Sequence, residues 1–199
     1  MQLAKEPKTG GFTLVELMVT LAIGMVVMAA VTTTFISQTR FYSAQEQINE
    51  MEQNARGAID IMTREIKMAG YDPTGAGFAK VTTFTSTQLA FQTDYDGSGV
   101  LSNVAADNEK IAYAYDSTNR QINRTTGSGG PQTLADNITA ATFTYYKADG
   151  STATVATDIR QIKISITART AKPDPNFSSN GGYRTYQLTA TITPVNLAL

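Results

Sequence analysis

The sequence predicts an α+β fold: one long N-terminal α-helix, half transmembrane and half amphipathic, packed on an antiparallel β-sheet head. Three observations predict it. Phe12–Ile36 is an apolar run without Lys, Arg or Asp. Apolar residues then recur at spacings of three and four as far as Ala69, and no proline interrupts before Pro73. From Tyr71 the period changes to two, and short runs are separated by Gly, Pro, Asn and Asp turns.

The chain has 199 residues, enough for one modest domain plus an extended element. Its 16 basic and 17 acidic residues leave a net charge of −1, so no charge excess points to nucleic acid. There is no Cys, which excludes disulfides, thiolate catalysis and Cys metal sites. There is no His either, which excludes Ser-His-Asp triads and the commonest transition-metal ligand.

The first element begins with a short basic leader holding Lys5 and Lys8, followed by Gly10-Gly11-Phe12-Thr13-Leu14-Val15-Glu16. A helix over Phe12–Ile36 would rise about 37 Å, more than the roughly 30 Å of a bilayer core. Lys5 and Lys8 ahead of it place the leader in the cytoplasm and the bulk of the chain outside. Two plain readings compete here. A secretory signal has a shorter apolar core with its small-residue site behind it, whereas Gly10-Gly11 lies in front. A simple anchor explains the run but leaves Glu16 idle. A carboxylate at bilayer depth costs about 2.5–3.5 kcal/mol and usually marks function.

The helix continues through Ile48, Met51, Ala55, Ala58, Ile59, Met62, Ile66 and Ala69, one apolar stripe opposite a charged face. Gly70 is its expected stop. Phe12–Ala69 would be one helix of 58 residues. In the head, the expected strands are residues 82–87, 88–93, 110–115, 121–125, 141–146, 160–168 and 185–193. Ile162, Ile164 and Ile166 alternate with Lys163, Ser165 and Thr167, as in a half-buried antiparallel strand. Asp116-Ser-Thr-Asn119 reads as a hairpin turn.

Asp94-Tyr-Asp96-Gly-Ser98-Gly99 sets oxygen ligands at alternating positions, a pattern suited to a hard cation such as Ca²⁺. Asp94, Asp96 and Ser98 are the candidate ligands. The match to a helix-loop-helix calcium loop is partial, because Ala105 stands where the closing carboxylate belongs. Asn103, Asp107 or Glu109 can close a looser site. An acidic turn with no metal is the plainer alternative. The pairs Asp94/Asp96 and Asp107/Glu109 also meet the minimum for glycosidase chemistry, but they lie in turns without Trp or His nearby. The expectation is a protein that is not an enzyme. Tyr113, Tyr115, Tyr145 and Tyr146 read as sheet packing rather than as an adhesive surface.

The segment KTGGFTLVELMVTLAIGMVV resembles the class III signal of type IV pilins and type II secretion pseudopilins. The resemblance implies cleavage by a prepilin peptidase between Gly11 and Phe12, N-methylation of Phe12, and a role for Glu16 in assembly. It also implies a type IV pilin-like fold. The parts would be a leader at 1–11, a transmembrane assembly helix at 12–36, an amphipathic helix at 37–70 and a β-rich head at 71–199. The segment from Asn54 to Tyr71 is similar to the helix end of PilW-like minor pilins and shares part of the J-type pseudopilin pattern. Many major pilins carry a helix-kinking proline that this helix lacks.

These likenesses imply a PilW-like minor pilin that copolymerises through its N-terminal helix and helps initiate a type IV pilus near the tip. The partners implied are the prepilin peptidase, other minor and major pilins or pseudopilins, and the inner-membrane assembly platform. The implied location is a single pass of the inner membrane with the head in the periplasm, then the pilus or pseudopilus. No cofactor is implied apart from the candidate Ca²⁺. Two alternatives stay open: a J-type pseudopilin of a type II secretion system, and a membrane-anchored periplasmic binding or sensor domain that does not assemble.

Overall fold

The computed structural model describes residues 10–197, so Lys5 and Lys8 of the leader lie outside the described residues. The chain divides into two units, Met1–Gln45 and Glu46–Leu199. Helix α1 (Leu14–Lys67) begins in the first and ends in the second. Eight strands follow: β1 (Val81–Phe84), β2 (Gln88–Gln92), β3 (Lys110–Asp116), β4 (Gln121–Thr126), β5 (Gln132–Ala135), β6 (Ile138–Tyr146), β7 (Gln161–Arg169) and β8 (Thr185–Ile192).

The antiparallel head is split into two sheets, one in the order β1-β2-β3-β4-β5 and the other β6-β7-β8. All seven expected strands are present, with ends that coincide or shift by at most three residues. The strand β5 was not expected. It has four residues, and only Leu134 and Ala135 turn toward the core, too few to show a period. The two sheets are tied by the backbone N–H of Phe143, which donates to Ser86 O at 2.8 Å, and by the Tyr145 hydroxyl, which reaches Gln88 O at 2.8 Å.

The apolar stripe of α1 packs as its spacing requires. Met51, Ala55, Ala58, Ile59, Met62 and Ile66 are buried, and Ile48 packs at the margin. Across from them β7 contributes Ile162, Ile164 and Ile166, all fully buried. Burying each such side chain is worth about 1.5–3 kcal/mol, so this face is a major contributor to the stability of the head. Of the four tyrosines read as sheet packing, Tyr113 and Tyr145 are buried.

The last turn of α1 tightens, with Met68 N–H bonding Glu65 O and Ala69 N–H bonding Ile66 O, both at 3.0 Å. Gly70 then takes a φ of +77°, and its N–H donates to Gln92 O at 2.8 Å, fixing the helix end against β2. A Cβ at Gly70 would lie 2.8 Å from the Lys80 side chain, which explains glycine as the stop. Nearby, Glu65 anchors α1 to the larger sheet. Arg124 of β4 grips it with Nε to Oε2 at 3.0 Å and an Nη to Oε1 at 2.7 Å, and the buried Tyr113 hydroxyl donates to the same carboxylate.

Candidate functional site

The amino-terminal site is built on the start of α1. Thr13 stands just before the helix. Its hydroxyl accepts the Glu16 N–H at 3.2 Å, and its own N–H donates to Glu16 Oε2 at 3.3 Å. This reciprocal arrangement is a capping box, which satisfies two of the free donors of a helix start. Glu16 also sets a negative charge at the positive end of the helix dipole. Thr13 is a capping residue that the sequence analysis does not single out. Its signal is Thr-x-x-Glu ahead of an apolar run, the pattern of a capping box.

Behind this cap, large apolar side chains lie open to their surroundings. Phe12 is 86% exposed, and Leu14, Val15, Leu17, Met18 and Val26 are each more than half exposed. An 18-residue window of α1 reaches a mean hydropathy of 2.4 with none of it buried. By length and composition this segment is able to cross a membrane. Its polar side chains are already satisfied. The hydroxyls of Thr32, Thr33 and Thr34 donate to the carbonyls of Met28, Ala29 and Ala30 at 2.8–2.9 Å. Such back-bonding lets threonine sit in an apolar medium without an unpaired donor.

A second site lies where β2 and β3 part. The ladder extends past Gln92 and Lys110, because Thr93 N–H donates to Glu109 O at 2.9 Å. That pairing brings the loop after β2 beside the start of β3. Asp94, Asp96 and Glu109 each offer an oxygen, and the three oxygens lie within 4.8 Å of one another. Asp94 and Glu109 are buried and Asp96 is exposed. Of the three candidates for closing the site, Glu109 is the one brought in. Asp107 sits in the short helical turn Ala105–Asp107, and Asn103 takes the Lys110 ammonium at 2.5 Å.

The backbone of the loop donates inward. Ser98 N–H reaches Asp94 Oδ1 at 3.1 Å and Asp96 Oδ1 at 2.8 Å, and Gly99 N–H reaches Asp94 Oδ2 at 3.0 Å. The bonds from Ser98 hold the Asp96 carboxyl below the usual range for an aspartate. The Ser98 hydroxyl itself turns to Val100 O at 3.1 Å. Glu109 Oε2 accepts the Ser102 N–H at 2.6 Å, while Oε1 is buried with no hydrogen-bond partner.

Comparison with known proteins decides the family. Residues 7–32 match the prokaryotic N-terminal methylation motif, and residues 44–193 match the family described as prepilin peptidase-dependent protein B. The chain belongs to the prepilin peptidase-dependent protein B family. It is a type IV pilin-like protein with a class III signal at its N-terminus. Among solved structures, a type IV-like pilin from Thermus thermophilus is similar with 11% identity and a TM-score of 0.44, over 73% of this chain and 97% of that one. No curated protein matches significantly. The methylation motif covers the end of the chain where the capping box and the exposed apolar helix lie.

Proposed function

We propose that this protein is a PilW-like minor pilin, inserted in the inner membrane, cleaved between Gly11 and Phe12, methylated at Phe12, and copolymerised through α1 with other pilins on an assembly platform. Its role is structural, in initiating a filament, and not catalytic. Its main support is Glu16 near the start of α1, at the head of an apolar stretch with an 18-residue window in which no residue is buried.

The chemistry follows from cleavage. Hydrolysis before Phe12 creates an ammonium group four residues from Glu16, at the edge of an apolar segment. In the filament, the carboxylate of one subunit can neutralise the Phe12 amine of its neighbour. A charge pair in low dielectric adds little net stability, but it penalises every register that leaves one charge alone. The apolar side chains supply the adhesion, and Glu16 sets the alignment. The same residues serve in a J-type pseudopilus. Gene deletion distinguishes the two machines: loss of surface pili supports the minor pilin, and loss of protein secretion with pili retained supports the pseudopilin.

The test is Glu16→Ala beside Thr13→Ala. Both variants should insert and be cleaved. Glu16→Ala should enter filaments at least tenfold less than the wild type, as read by immunoblot of sheared filaments. Thr13→Ala loses the hydroxyl cap but keeps the charge, and should enter normally. Normal incorporation of Glu16→Ala would refute the pairing, and an equal defect in both variants would assign Glu16 to capping alone.

A further inference from the structure

We propose that Asp94, Asp96 and Glu109 form a Ca²⁺ site that staples the β2–β3 loop to the start of β3. Three features converge on a cation. The three carboxylates each place an oxygen within 4.8 Å of the others, a spacing at which like charges repel strongly unless something positive sits among them. Among the described residues, no lysine or arginine forms an ion pair with any of the three: Arg124 is engaged by Glu65, and Lys110 is turned to Asn103. Finally, Glu109 is 1% exposed, and its Oε1 is buried without a hydrogen-bond partner. A carboxylate oxygen buried without a partner is costly, and a bound cation is one of the few things that offsets that cost.

The donor set selects the ion. All three ligands are hard carboxylate oxygens, and the chain contains no His or Cys to favour zinc or copper. Asp96 is exposed, so water completes the coordination on that side. An irregular mixture of protein oxygens and water suits Ca²⁺, which takes six to eight ligands in flexible geometry, better than Mg²⁺, which demands a near-ideal octahedron. The backbone donors from Ser98 and Gly99 preset the two aspartates before the ion arrives. Glu109 supplies the closing carboxylate that Ala105 cannot, reaching the loop through the strand pairing of Thr93 rather than through the loop's own length.

The full-length protein in detergent, stripped with a chelator, tests this by thermal melting at matched ionic strength. With a dissociation constant of about 10⁻⁴ M, as in extracellular calcium modules, 10 mM Ca²⁺ should raise Tm by about 5 °C or more. The rise should saturate, and 10 mM Mg²⁺ should give less than half of it. Terbium should bind with luminescence sensitised by Tyr95, which lies between the two aspartates, and Ca²⁺ should displace it. Glu109→Gln keeps the acceptor for Ser102 and should lose the Ca²⁺ response; Asp96→Asn, at an exposed position, should weaken it. Asp149→Asn, in the connection between β6 and β7, should leave it intact. No Tm rise in the wild type, an equal rise with Mg²⁺, or a full response in Glu109→Gln would each overturn the proposal.

Discussion

Replacing Glu65 by alanine tests how α1 is held to the larger sheet. The carboxylate takes two bonds from the Arg124 guanidinium, at 3.0 and 2.7 Å, and one from the Tyr113 hydroxyl. Tyr113 is fully buried, so its hydroxyl would lose its partner away from water, at a cost of about 1–3 kcal/mol. Arg124 would lose its counter-charge. A fully buried orphan of that kind costs about 3–5 kcal/mol, but the Arg124 and Glu65 side chains are each 20% exposed, and Arg124 keeps Asn108 Oδ1 at 2.8 Å. Rehydration therefore removes much of the second cost. The sum is about 3 kcal/mol, or a Tm lowered by about 6–12 °C for a domain of this size.

Near-ultraviolet circular dichroism is the assay. The chain has no Trp and nine Tyr, and all of these but Tyr42 lie in Glu46–Leu199, so the signal reports the head. Adding Arg124→Leu to Glu65→Ala should recover part of the loss, because it removes the unpaired charge. A Tm drop under 2 °C for Glu65→Ala, or strictly additive losses in the double variant, would reduce the pair to an ordinary surface contact.

Two further predictions concern the head. Burial pushes the phenols of Tyr113 and Tyr145 well above 10, and the Glu65 charge adds to the effect on Tyr113. A folded pKa above the unfolded one contributes stability that is complete below pH 10 and is lost as pH rises beyond it. The head should therefore unfold in alkali, and the absorbance at 295 nm of at least two tyrosines should appear only together with that unfolding; reversible titration of all nine near pH 10 with intact dichroism would contradict this. Gly127→Ala should be strongly destabilising, by roughly 2 kcal/mol or more, because φ is +50° and a Cβ would sit 2.3 Å from Asn103 O, whereas Gly130→Ala meets nothing within 4 Å and should stay within about 0.5 kcal/mol of the wild type in urea melts.

Much of this fold is written in local periodicity. The stripe from Met51 to Ala69 and the alternation of Ile162, Ile164 and Ile166 each bury as their spacing demands, because a helix face and a strand face are properties of neighbouring residues. What stayed hidden depends on distant pairings. The division into two sheets follows from which strands pair, and β5 is too short to carry a pattern. Glu65 meets Arg124 across 59 positions, and nothing in the text around either names the other. The acidic site lies between these cases. Asp94 and Asp96 stand out as a motif, but the choice of Glu109 over Asn103 and Asp107 required the strand register that sets Thr93 opposite it.

In the proposed function the chain matures at Gly11-Phe12 and assembles through the helix that cleavage exposes. Mass spectrometry of the N-terminal peptide from the mature protein, isolated from membranes of its native host, tests it most directly. The expected result is a terminus at Phe12 carrying one extra methyl group. A terminus at Met1, or one near Ala30 as a secretory signal would leave, would contradict it.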